Sequence, residues 1–206
     1  MVTISCIFQK MKLFNKWEQT GIVIEDQGLK KYINTNEVII PRTLGRNAKH
    51  RFYRNRCHIV ERLMNKLAGP GHKGKKHKLT SRKMTGKGFK TYGIVYKTFE
   101  EIEKQTKQNP LKVFIKALEN AAPREEITTI EYGGARYPQS VDCSPQRRID
   151  LALRQMTQGA YQKSFNTKNN IVKCLTNEII NAYNISQNSQ AISKKLELER
   201  QAGSSR

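Results

Sequence analysis

The sequence predicts a mainly α protein: a helical bundle of about six helices with one projecting β-hairpin, plus a basic N-terminal arm and an extension. Three observations predict it. Apolar residues recur at steps of three and four through most of the second half. Two β-like runs flank a Gly133-Gly134 link. The positive charge is gathered into one segment: Pro41 to Lys90 carries 16 Lys or Arg and one acid, Glu61, a net 16 − 1 = +15 of the chain's formal +21.

Taken in order, residues 1–40 read as an extension of mixed character. Ile22-Val23-Ile24 and Val38-Ile39-Ile40 fit either a short strand or an apolar strip laid on the main body. From Pro41 to Cys57 the chain reads as a basic arm, with Arg42, Arg46, Lys49, Arg51, Arg54 and Arg56 around the apolar anchors Phe52 and Tyr53. Ile59, Val60, Leu63 and Leu67 predict a helix to Ala68, ended by Gly69-Pro70-Gly71. A lysine-rich loop follows, and helical spacing returns from Phe89 to Thr106, with Ile94 or Val95, Thr98, Ile102 and Gln105 on one side.

Asn109-Pro110 is an N-cap followed by proline at the first helical position. Leu111, Ile115, Leu118 and Ala122 make that helix's apolar face, and Pro123 closes it. Ser144-Pro145 repeats the start signal before Ile149, Leu153, Met156 and Ala160. Two more helices are predicted over 169–183, through Ile171, Leu175, Ile179 and Ala182, and over 189–202, through Ile192, Leu196 and Glu199. Between the helix closed by Pro123 and the one begun at Pro145, Ile127–Glu131 and Arg136–Val141 predict the hairpin, because a two-residue Gly-Gly link suits a type I′ turn. Pro138 cannot donate to a ladder, so its strand needs a free edge there. An isolated ribbon is marginal in water, so the arm is expected to leave the body and be held by something else.

A charge block of one sign implies a dense counter-charge, and the densest is a nucleic-acid phosphate backbone. No apolar run is long enough to span a bilayer, and no membrane partner is expected. The mildly apolar start, with Lys10 and Lys12 after the apolar stretch, is not expected to be a secretory signal. Cys6, Cys57, Cys143 and Cys174 are scattered and form no C-x-x-C pair, so they read as small apolar residues rather than metal ligands.

Several motifs invite a sharper reading and fail it. Gly69 to Lys76 approaches the G-x-x-x-x-G-K-[ST] phosphate loop, but Lys76 stands where a hydroxyl must hold magnesium, and the loop follows a helix. His50, His58, His72 and His77 lack an orienting carboxylate or nucleophile, and they are expected beside phosphates as extra donors. Glu125-Glu126 and the set Glu100, Glu101, Glu103 read as solvated acids rather than metal ligands. Arg147 and Arg148 lie in the first turn of a helix, where positive charge opposes the dipole. They are about 100° apart on that helix, so at least one faces outward, and a phosphate contact is expected.

The stretch Pro123-Arg124-Glu125-Glu126, Tyr132-Gly133-Gly134-Ala135-Arg136-Tyr137-Pro138-Gln139, Val141-Asp142 and Ser144-Pro145-Gln146-Arg147-Arg148 resembles the universal small-subunit ribosomal protein seven family, in its archaeal and eukaryotic form. Gly45-Arg46, Ala48 to Phe52 and Ile59 to Leu63 resemble its basic entry and first helix, and Ala191 to Arg206 resembles its ending. The resemblance covers residues 41–206, taken as one rRNA-binding helical domain. The extension and the lysine- and glycine-rich stretch 69–90 depart from it.

The resemblance implies a structural protein of the small-subunit head that binds the 3′ major domain of small-subunit rRNA and supports head assembly. It implies a ribosomal, cytoplasmic location (nucleolar during assembly in a eukaryote), with head and platform proteins as neighbours. On charge and resemblance together, rRNA contacts are expected at Arg42, Arg46, Lys49, Arg51, Arg54, Arg56, Lys73, Lys75, Lys76, Lys78, Arg82, Lys83, Lys87, Arg147 and Arg148. The resemblance places Tyr132, Gly133, Gly134, Arg136, Tyr137, Lys194, Lys195 and Arg206 near exit-site tRNA and the mRNA exit path. No cofactor, metal or catalytic set is expected. The competing classes are an RNA-processing enzyme, which needs a convergent acid, base or metal set, and a DNA-architectural protein using the ribbon in a groove.

Overall fold

The structure, a computed structural model, describes residues 11–71 and 84–206. All six anticipated helices are present: α3 (Ile59–Leu67), α4 (Gly88–Thr106), α5 (Pro110–Ala121), α6 (Pro145–Ser164), α7 (Ile171–Tyr183) and α8 (Gln190–Gly203). Two one-turn helices, α1 (Gln27–Lys30) and α2 (Tyr53–Arg56), and a 3₁₀ turn over Arg46–Lys49 precede them. Polar caps set the starts. The Asn109 side chain accepts from Leu111 N at 3.0 Å ahead of Pro110, and Asn170, one residue later than expected, accepts from Val172 N at 3.3 Å. Each cap satisfies a backbone donor that the helix itself cannot, worth about 1 kcal/mol.

Helix α7 is central, packed against α4, α5 and α6. The faces chosen by spacing are buried on α5, α6 and α7, with Leu118, Leu153, Leu175 and Ile179 all fully enclosed. Two faces match expectation in part, with Val95, Thr98 and Ile102 of α4 and Ile192 of α8 buried as expected. On α4 the buried side runs through Thr91, Val95, Thr98, Phe99 and Ile102, leaving Gln105 exposed. On α8 it runs through Ala191, Ile192 and Ala202, while Leu196 points outward. Small alanines suffice there because α8 lies against α6 and the hairpin rather than in the centre.

Residues 11–40 form no strand beyond isolated bridges, Leu13 to Trp17 and Asn34 to His58. They are the apolar strip of the two alternatives, and the strip is part of the core. Phe14 and Trp17 meet edge to face at 5.8 Å, and both reach Phe99 on α4, at 6.3 and 5.8 Å. Edge-to-face pairs add about 0.5–1.5 kcal/mol to the burial itself. Gln19 holds the strip closed by donating to Met11 O and Val38 O at 3.1 and 2.9 Å.

The hairpin joins β1 (Glu125–Tyr132) to β2 (Ala135–Asp142), with Tyr132 opposite Ala135 and Thr129 opposite Pro138. Gly133 and Gly134 have φ of 59° and 81°, the positive values that a type I′ turn demands. The pair closing a two-residue turn is hydrogen-bonded, and pairs then alternate, so Pro138 falls in a non-bonded pair with its nitrogen facing the open edge. Ser140, two residues on, faces the same way, and its N–H meets Ser205 O at 3.4 Å. The base of the ribbon is therefore closed by the chain's own end. From Thr128 to Gln139 every residue is exposed. None of the helices is long and apolar enough to cross a membrane, among the described residues.

Leu13 is fully buried and Val23 is 77% exposed, so the two test whether the strip belongs to the core. Leu13→Ala is expected to cost about 2–5 kcal/mol in urea unfolding. Val23→Ala should stay within about 0.5 kcal/mol of wild type. Equal midpoints would mean that the strip is a detachable extension.

Candidate nucleic-acid interface

The arm starts from the only acid in its segment. Glu61, on α3 and 4% exposed, accepts from both Thr43 N and Thr43 Oγ1, at 2.8 and 2.7 Å. That pins the chain just after Arg42. The other end is held by Asn34, whose side chain donates to Arg56 O at 2.6 Å while its carbonyl accepts from Ile59 N at 3.0 Å. Between these anchors the backbone turns twice through left-handed conformations at non-glycine residues, Leu44 (φ 52°) and Phe52 (φ 58°). Such residues cost about 1 kcal/mol or more each and persist where neighbours enforce them.

Between the anchors the cations face solvent. Arg42, Arg46, Lys49, Arg51 and Arg56, with Lys87 at the start of α4, are all exposed. None has a carboxylate within ion-pair distance among the described residues, and every acid of the chain is described. The Arg42 guanidinium lies where a side chain on Gly88 would be, 2.9 Å from that position, so Gly88 lets it fold over the start of α4. Arg51 stacks over Phe52 at 5.1 Å, a cation–π contact that stiffens the arm. Lys73, Lys75, Lys76, Lys78, Arg82 and Lys83, together with His72, His77 and most of the phosphate-loop-like segment, lie outside the described residues.

Arg147 and Arg148 part company. Arg147 is exposed and bonds Glu126 at the foot of β1 at 2.6 Å. Arg148 is 9% exposed, donating to Pro123 O at 3.0 Å and to Asp26 at 2.7 Å. For Arg148 the expected phosphate contact is corrected, because its compensation is internal, while Arg147 faces outward as expected of at least one of the two. Burial pushes the Asp26 carboxyl up, but Arg148 and the N–H groups of Gly28 and Leu29 outweigh this and hold it below its ordinary range. Arg148 thus fastens the N-terminal strip to α6 and is enclosed rather than presented.

His58 departs from expectation too. It is 4% exposed, and its Nδ1 caps α3 by accepting from Val60 N at 3.2 Å. Burial pushes its pKa down to about 4, so it stands neutral and away from any surface anion. Cys57, Cys143 and Cys174 are buried and free, with burial raising each thiol, that of Cys143 to about 11.

On the ribbon, cross-strand pairing puts Ile130, Tyr132, Ala135 and Tyr137 on one face, all exposed. The opposite face carries Glu131 and Arg136, 3.5 Å apart. The three tail cations are partly engaged. Lys194 pairs with Glu197 at 2.7 Å, half-buried Lys195 donates to Asn120 O at 2.9 Å, and Arg206 pairs with Glu125 at the foot of β1. Burial lowers the Lys195 pKa.

The ribosomal protein S7p/S5e family profile matches residues 29–206. The chain belongs to that family. It is 57% identical to the small ribosomal subunit protein uS7 of Nanoarchaeum equitans, over 96% of this chain and all of that one. It is 44% identical to the uS7 proteins of Methanosphaera stadtmanae (94% of this chain, 97% of that one) and Methanothermobacter thermautotrophicus (93% and 97%). An alignment reaching 96% of the chain takes in most of residues 1–40, so the segment that resembled nothing is largely shared with relatives. The S7p/S5e family is a non-enzymatic one of structural ribosomal proteins.

Arg62, Lys66 and Asp150 of this S7p/S5e chain escaped sequence reading, whereas Arg54 did not. Arg62 and Lys66 on α3 converge with Arg54 on Asp150 of α6. The i, i+4 spacing of Arg62 and Lys66 was a usable signal for a shared face, but nothing local pointed to Asp150, 84 residues further on.

Loss of Arg148 removes the cation facing Asp26 and empties a buried position on α6. Arg148→Ala should therefore cost about 3 kcal/mol by urea unfolding, the low end for a buried pair. Arg147→Ala, at an exposed pair, should cost no more than about 1 kcal/mol. Equal losses would contradict the division between them. For His58, the folded pKa (about 4) lies below the ordinary 6.5, so the unfolded chain binds the extra proton first. Its contribution is full above pH 6.5 and drains away as pH falls toward 4. His58→Asn keeps a capping side chain and should flatten that part of the stability–pH curve; an unchanged slope would mean that His58 is not the group titrating.

Proposed function

We propose that this chain is a structural constituent of the small ribosomal subunit that binds the 3′ major domain of small-subunit rRNA and supports assembly of the head. The observation that carries the reading is the row of exposed, uncompensated cations Arg42, Arg46, Lys49, Arg51 and Arg56, on a backbone pinned at both ends by Glu61 and Asn34. A fixed cationic track matches a phosphate backbone, which positions a protein without reading sequence. RNA preference then comes from shape, sugar hydroxyls and exposed rings that can stack on bases, such as Phe52 on the arm. Support also comes from the relatives, which are named as small ribosomal subunit proteins.

The ribbon is proposed to serve a second purpose. Its outer half is exposed throughout, yet it carries the rings of Tyr132 and Tyr137. This fits a reach toward exit-site tRNA and the mRNA exit path, with head and platform proteins alongside. Arg206 and Ser205, by closing the ribbon's foot, would aim it.

Binding to an rRNA fragment of the 3′ major domain tests the first part. Neutralising about 6–10 phosphates should weaken it roughly 10³- to 10⁵-fold between 50 and 200 mM salt, taking duplex DNA as the guide. Arg46→Ala and Lys49→Ala should each lower the log–log salt slope by about one. Affinity indifferent to salt would sink the reading. Removing residues 130–137 should spare rRNA binding and stability while disturbing exit-site tRNA occupancy; failure of head assembly would instead make the ribbon a folding element.

A further inference from the structure

We propose that the cleft between α2, α3 and α6 seats one backbone phosphate of RNA, gripped by Arg54, Arg62 and Lys66 and held in shape by Asp150. This deepens the rRNA-binding reading and rests on it. The Asp150 carboxylate is shared three ways: Oδ2 with Arg54 Nη1 at 2.9 Å, and Oδ1 with Arg62 Nη2 at 3.3 Å and Lys66 Nζ at 3.8 Å. Three cations on one anion leave 3 − 1 = +2 around a cleft of about 210 Å³.

That imbalance is costly where it sits. The Arg62 side chain is 5% exposed, and beyond Asp150 it has one further partner, Tyr32 O at 3.1 Å. Its Nε–H is buried with no acceptor among the described residues. A guanidinium removed from water and left short of both charge and acceptors is unfavourable unless a ligand supplies them. Burial, and after it the neighbouring cations Arg154, Arg54 and Arg62, press the Lys66 ammonium toward losing its proton, with Asp150 alone opposing them. A phosphate diester brings a negative charge and several acceptor oxygens at once, and the planar guanidinium fork suits it.

The position argues for RNA rather than a free ion. Arg54 belongs to the same one-turn helix as Arg56 and follows Arg51 on the arm, so a backbone lying along the arm passes the mouth of the cleft. Asp150 acts as a positioning residue. It spreads the three cations around the cleft before the anion arrives, which lowers the ordering cost of binding.

The test uses the full-length protein at low ionic strength, titrated with inorganic phosphate while the Arg Nε–H signals are followed by NMR. Chloride at matched ionic strength is the control. A saturable, one-site movement of the Arg62 Nε–H signal is expected with phosphate and not with chloride. Arg54→Ala with Lys66→Ala should weaken it at least tenfold, and the fold should survive because those side chains are 51% and 30% exposed. Removing the same charge elsewhere, at exposed Lys97 and Lys112, should change it less than twofold. An RNA oligonucleotide should displace the phosphate. A phosphate response equal to that of chloride, or equal loss in the two double variants, overturns the site. Phosphate that stays bound against RNA overturns the assignment to an RNA backbone. Each of these failures leaves the salt dependence set by Arg46 and Lys49 intact, so the wider reading falls or stands on its own measurement.

Discussion

Four carboxylates of this protein are spent on contacts within the chain, and much of the structure follows from that. Glu61 pins the arm, Asp26 neutralises Arg148, Asp150 gathers three cations, and Glu178, fully buried on α7, takes Lys163, Ser189 Oγ and the N–H of Ala191 to set the start of α8. In a chain of 38 basic and 17 acidic residues, acids spent on internal contacts cannot screen the surface. The cations left outside, above all those of the arm, then present one sign to solvent. Such a surface repels itself, and the helical core has to hold it together.

That core can do so because it is built from long-range contacts at both ends. Phe14 and Trp17 from the strip interleave with Phe99 of α4, which in turn meets Phe114 of α5 at 6.0 Å. The strip carries Asp26, so the aromatic packing and the Asp26–Arg148 pair reinforce each other: rings place the acid, and the acid places α6. The tail and α8 hold the foot of the ribbon through Arg206–Glu125, Ser205–Ser140 and the Arg124 N–H on Glu199 at 3.0 Å. The arm and the ribbon are thus both anchored to one packed core. The first is anchored by buried acids, the second by the chain's end.

Much of this could be read from residues. Three- and four-residue spacing found the six main helices because each buries one stripe, and Asn109-Pro110 and Ser144-Pro145 marked starts that are local by nature. Gly133-Gly134 found the ribbon for the same reason: a type I′ turn is a two-residue property. What spacing missed was tertiary. Whether Ile22 to Ile24 was strand or strip depended on Phe99 lying across from Phe14 and Trp17. Arg148 looked like a ligand-seeking cation because its partner, Asp26, is 122 residues away. His58 passed for a surface histidine because its burial comes from the strip carrying Asn34, not from its own segment. Leu196 was given to the core of α8 because apolar character alone does not say which face meets a neighbour.

A density map of the assembled small subunit containing this chain tests the central claim most directly. It should show rRNA phosphates along Arg42, Arg46, Lys49, Arg51 and Arg56, with Glu61 still on Thr43 and Arg148 still on Asp26. An arm turned away from rRNA, or internal acids released to meet new partners, would contradict it.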